Sequence, residues 1–148
     1  MKKNLKIIVP LVLLVVALGA WYAYSEYNRK PASMENTKAD FVTNAATLIG
    51  AFEENEVKAN QQYLDKIVEV EGAIRTVSQD DAGLYTVTMG DDGSLSSVRC
   101  SMDSIFNEQA RSLVPGSTVS IRGVCTGFMA DPLLGSDVTL VRCTILKK

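Results

Sequence analysis

From Val68 onward the chain alternates. Val68, Val70, Gly72 and Ile74 are interleaved with Glu69, Glu71, Ala73 and Arg75, the period of two that a half-buried strand requires. Gly72 inside this run predicts a bulge or sharp bend. Residues 79–83, QDDAG, form a turn, and Tyr85, Val87 and Met89 then alternate with Thr86 and Thr88. Asp91-Asp92-Gly93 predicts a hairpin turn. Val98, Cys100 and Met102 alternate with Arg99 and Ser101 in a third strand. Residues 104–113 carry Phe106, Ala110 and Leu113 on one helical face, with Asp103 or Ser104 as the cap and Pro115-Gly116 as the stop. Val119 and Ile121 alternate in a fourth strand. A stretch rich in turn formers, 126–136, leads to a fifth strand over 137–146.

Three strands, a short helix and two more strands is the layout of the OB fold, a five-stranded Greek-key barrel. Five strands are few for an antiparallel sandwich. The expected class is therefore mainly β with flanking helices, the barrel occupying residues 63–148. Upstream, Phe41, Ala45, Leu48 and Phe52 are spaced by four, three and four, with Val42 and Ile49 widening the stripe. This predicts an amphipathic helical segment over 37–62, capped by Asn36 or Thr37, with 54–62 continuing it or forming a second short helix. Such a stripe packs on the core of its own domain more readily than on a partner.

Ile7 to Tyr24 contains no charge, and a run of this length is at the lower end of what spans a bilayer as a helix. Lys2, Lys3 and Lys6 precede it, and Trp21, Tyr22, Tyr24 and Tyr27 cluster at its far end. This is the pattern of a signal anchor with a cytoplasmic basic end over 1–6 and an interfacial aromatic belt. A cleaved signal peptide also begins this way, but no A-x-A-type site follows. Residues 25–36 read as a linker. Both alternatives export the rest of the chain, so the expected place is the inner membrane, single-pass, with the C-terminal domain in the periplasm or outside. The membrane, through Ile7 to Tyr24, is the expected partner, together with an unidentified envelope partner or ligand.

Composition narrows the chemistry. The chain has no histidine, which removes the commonest general base and metal ligand. Its net charge of −2 hides an asymmetry: beyond Tyr27 there are 12 Lys and Arg against 16 Asp and Glu. A nucleic-acid-binding domain normally shows the reverse balance. No enzyme and no cofactor is expected.

Several fragments resemble one family of bacterial OB-fold proteins, the tRNA-anti-like family. They are AFEENEVKAN (51–60), YLDKIVEVEG (63–72), VSIRGVCTGF (119–128) and DVTLVRCTI (137–145), recurring in order over roughly residues 38–147. The resemblance implies an OB fold, often behind a membrane anchor or lipoprotein signal, and no established activity. FMADPLLGS, 128–136, departs from it as a longer loop.

OB domains bind ligands on the face of their second and third strands, stacking bases on aromatics and holding phosphates with Lys and Arg. By parity the outward residues are Thr86, Thr88, Arg99 and Ser101, with Arg75 and Arg122 on neighbouring strands and Phe128 in the final loop. All of these except Ser101 are the candidate ligand-binding residues. They define the competing expectations of a non-enzymatic envelope binding module and, as the alternative, a single-stranded nucleic-acid binder. Cys100 and Cys143 lie towards the far ends of parallel neighbouring strands and are the first choice for a disulfide. Cys125 with Cys143 is the second, and three plain core thiols remain open. Three scattered cysteines do not match zinc spacing, so no metal is expected. Neighbours along a strand point to opposite faces, so Arg99 and Arg142 do not activate the cysteines they precede. Asp80-Asp81 and Asp91-Asp92 read as turn residues, since a calcium loop needs alternate carboxylates.

Overall fold

The protein is seen in a computed structural model that describes residues 2–27, 34–131, 133 and 135–146, with side chains from Leu14 onward except that of Glu35. It forms two units, 1–32 and 33–148.

The first unit is one helix, α1 (Lys2–Tyr27). The apolar run 7–24 lies wholly within this helix, but its side chains are described only from Leu14. Among the described residues no helix is long and apolar enough to cross a membrane. Of the linker expected over 25–36, residues 25–27 instead continue the helix α1, 28–33 lie outside the described residues, and Met34–Asn36 form a short 3-10 turn.

The second unit contains β1 (Phe41–Asn44), α2 (Ala45–Glu54), α3 (Glu56–Tyr63), β2 (Ile67–Gln79), β3 (Tyr85–Met89), β4 (Ser97–Met102), a 3-10 turn at Ser104–Phe106 leading into α4 (Asn107–Arg111), β5 (Thr118–Asp131) and β6 (Gly135–Leu146). The strand order is β1-β2-β3-β4-β6-β5, with β2 also pairing β5. That last pairing closes β2 to β6 into a five-stranded barrel, with the helix between its third and fourth strands as expected. β4 and β6 are parallel; the other barrel pairs are antiparallel. Closure leaves no edge within the barrel. The core follows the alternation: Val68, Val70, Val87, Met89, Val98, Cys100, Val138 and Leu140 are buried. Asp103 caps the 3-10 turn, its Oδ1 accepting from the Ile105 amide at 3.3 Å.

Three expectations change. Residues 41–44 are not helical: they form β1, parallel to β2 with Phe41 opposite Val68. The helical spacing misled because Phe41 joins the same apolar cluster as Leu48 and Phe52, but does so from a strand. The cap is consequently Asn44, neither Asn36 nor Thr37; its Oδ1 accepts from the Thr47 amide at 2.7 Å. Asn55 caps α3 in the same way at 2.9 Å, so 54–62 is mainly a second short helix. Second, the irregularity in β2 falls between Ile74 and Thr76, at Arg75 and not at Gly72. Gly72 instead permits close approach of α2, since a Cβ there would lie 3.0 Å from the Ala45 Cβ. Third, 126–136 is mostly strand. β5 continues to Asp131 and β6 begins at Gly135, with Phe128 opposite Val138. The extra length sits in a β-hairpin.

Candidate functional site

The strand register places small hydroxyls in rows on the outside of the barrel. Thr76 on β2 faces Thr88 on β3, Thr88 faces Arg99 on β4, and Arg99 faces Thr139 on β6. One pleat along, Ser78 faces Thr86 and Thr86 faces Ser101. The rows between them, such as Val77–Val87–Cys100–Leu140, turn into the core. Directly opposed residues share a face of a sheet, so seven polar side chains form one patch. The Arg99 side chain is 55% exposed and lies 3.5 Å from Asp137 Oδ2. A pair that open contributes little to stability.

Thr86, Thr88 and Arg99 are thus brought together as expected, and the other three candidates are not. Arg75 sits at the β2 irregularity, and its Nη2 donates to the carbonyl oxygens of Asp91 and Ser96. It holds the β3–β4 turn. Arg122 donates from Nη2 to Glu69 Oε2 at 2.9 Å and from Nη1 to the Thr37 carbonyl. Its side chain is 15% exposed, and it staples the segment before β1 to the barrel. Phe128 is no exposed platform. Its ring stacks on Phe52 at 5.1 Å, and Tyr63 extends the cluster to Phe41 in an edge contact at 5.1 Å. Residues from β1, α2, α3 and β5 are joined there, so the only aromatic of the expected loop serves packing. Parity alone could not reveal these partners, because each lies far away in sequence.

A concavity elsewhere on the domain escaped the sequence reading. A cleft of about 390 Å³ lies between α2, β2 and the β3–β4 turn, lined by Asn44, Ile49, Glu53, Glu71, Asp91 and Ser94 among others. Glu53 accepts from the Ser96 hydroxyl at 2.6 Å. Its three carboxylates repel phosphate. Among the described residues no group of His, Cys, Asp or Glu is placed to hold a metal ion. Asp80 does turn chemistry, its Oδ1 accepting from the Leu84 amide at 2.9 Å. All three cysteines are buried thiols. Burial pushes the Cys125 thiol up, opposed by the Gly127 amide and aided by the Asp65 carboxylate. Burial raises the Cys143 thiol well above its usual range, and the neighbouring Cys100 thiol adds to this.

A closed five-stranded barrel with its helix between the third and fourth strands and a polar patch across the second and third defines an OB-fold domain. The tRNA_anti-like family pattern matches residues 1–145, and the chain belongs to that family. A crystal structure from Klebsiella pneumoniae, of a lipoprotein named provisionally as nucleic acid-binding, shares the fold at 24% identity and a TM-score of 0.57, covering 80% of this chain and all of its own. The asparaginyl-tRNA synthetase of Pyrococcus horikoshii matches at 17% identity and a TM-score of 0.40, over 58% of this chain and 21% of the synthetase. No curated protein matches the chain.

Proposed function

We propose that the protein is a membrane-tethered, exported binding module without enzymatic activity, which takes a polar ligand on the hydroxyl patch around Arg99. The ligand classes that fit are a peptide or protein segment, a glycan or a small molecule. The tether rests on one observation above all. In α1 the described apolar residues have nothing to bury against in their own unit: Leu14, Val15, Val16 and Leu18 are 58–62% exposed and Trp21 is 75% exposed. An uncharged run of this kind is unstable in water and at home in lipid, and the lysines before it favour a cytoplasmic N-terminus. The module reading rests on the patch, which offers hydrogen-bond partners and one cation. The chain has no histidine to activate a nucleophile there.

Single-stranded nucleic acid is the second reading, favoured by exposed Arg99 on the OB face and by what the Klebsiella lipoprotein is named to bind. Against it stand the engaged Arg75 and Arg122, the packed Phe128 and the acidic cleft. A reporter active only outside the cytoplasm, fused after Lys148, tests the export claim: activity is expected, and an inactive, stably produced fusion overturns it. Polarisation titration with labelled oligonucleotides at low salt tests the second reading. No saturable binding is expected, and micromolar binding lost in Arg99→Ala would replace the first reading with the second.

A further inference from the structure

β6 is distorted to bring Cys143 against Cys100. Val138 and Leu140 are buried in alternation, and continuing the period would turn Arg142 inward and Cys143 outward. Instead the β4–β6 register slips between the pairs Cys100–Leu140 and Met102–Cys143. Arg142 takes a φ of 54°, and Cys143 is fully buried. A non-glycine residue persists in that region of backbone only where its surroundings over-determine it. Facing it, β5 supplies Gly123, where a Cβ would lie 2.5 Å from the Cys143 Sγ. Slip and glycine together make a seat for one sulfur atom. The thiol that reaches it is that of Cys100, meeting Cys143 on the diagonal between parallel strands. Cys125 lies on β5 opposite Leu140, and its thiol is influenced by Asp65 and Gly127, not by another cysteine.

We propose that Cys100 and Cys143 close as a disulfide between β4 and β6 while the domain folds under oxidising conditions, and that Cys125 remains a thiol. One cysteine thiolate attacks a small disulfide RS–SR, forming a mixed disulfide and releasing one RS⁻. The second thiolate attacks the protein sulfur of that mixed disulfide and releases the other RS⁻. The two thiol protons end on two RSH, and the oxidant takes up both electrons. Both sulfurs are fully buried in the closed barrel, so the exchange belongs to the folding chain, and the finished domain shields the bond. The bond encloses α4 and β5 and ties β6 to the middle of the sheet.

The test uses the full chain in detergent, refolded from the reduced, denatured state in a mixture of reduced and oxidised glutathione. The refolded fraction, identified by its β-sheet circular dichroism, is denatured without reductant and alkylated. The expected result is one alkylated cysteine, Cys125, and one cross-linked peptide pair holding Cys100 and Cys143. The Cys125→Ala variant is expected to take up no alkylating reagent. Three alkylated cysteines in the refolded wild type, or a cross-link that contains Cys125, would overturn the proposal. The experiment is done outside the cell, so its outcome is independent of whether the domain is exported.

Discussion

Arg99 and Arg122 sit on the same barrel and do opposite things. Arg122 is largely enclosed, with Glu69 on one side and backbone carbonyls of the 34–37 segment on the other. Arg99 stands in the open among threonines and serines, with one loosely held carboxylate, Asp137, at 3.5 Å. Around Arg122 the neighbours are elements that need holding down. Around Arg99 they are short hydroxyls that hold down nothing, apart from the barrel's own ladder. The contrast teaches that a charge on a small barrel is informative only with its partners: an engaged arginine belongs to the fold, and an open one is available to a ligand.

The comparison can be broken or sharpened by substitution. The largest effect is expected at the aromatic cluster that, like Arg122, holds the elements before β2 to the barrel. Phe52→Ala removes a ring that is 1% exposed and stacked on Phe128, and should cost about 3–5 kcal/mol in urea denaturation. A loss under about 1 kcal/mol would mean that the cluster is not packed. High pH comes next. The Cys143 thiol is raised when folded, so above the ordinary thiol pKa the unfolded chain releases a proton that the folded chain keeps. Stability of the reduced protein should therefore be intact below about pH 8.5 and fall above it, by up to about 1.4 kcal/mol per pH unit for this group. The raised Cys125 thiol adds to the fall. Oxidised protein with Cys100 and Cys143 joined should lose only the Cys125 part. Asn44→Ala removes the α2 cap and should cost about 1 kcal/mol. The smallest effect belongs to the patch. Thr88→Val keeps the shape of a half-buried strand residue and should change stability by less than about 0.5 kcal/mol, because no fold-holding bond of its hydroxyl is expected there.

The barrel was legible because alternation reports burial directly: Val87, Met89, Val98, Cys100, Val138 and Leu140 all point where their period places them. Legibility failed where one residue satisfied two patterns or where the partner was remote. Phe41 fits a helical stripe and equally a strand that leads into Asn44. Phe128 follows Gly127 in a stretch full of turn formers, yet it continues β5 because Val138 lies opposite. Four of the seven patch residues, Thr86, Thr88, Arg99 and Ser101, followed from parity. Thr76, Ser78 and Thr139 complete it only through register. The roles of Arg75 and Arg122 depend on carbonyls of Asp91, Ser96 and Thr37, which carry no side-chain signature. The turn of Cys143 into the core depends on a one-residue slip at Arg142, and a slip of one reverses every later assignment.

The most direct test compares the urea denaturation midpoints of Arg122→Ala and Arg99→Ala at equal salt. Removing Arg122 leaves Glu69 and the Thr37 carbonyl half-buried without a donor, and should cost about 2 kcal/mol. Removing Arg99 should leave the midpoint within about 0.5 kcal/mol of wild type. Equal losses, or a larger loss for Arg99→Ala, would contradict the assignment of one arginine to the fold and the other to the ligand face.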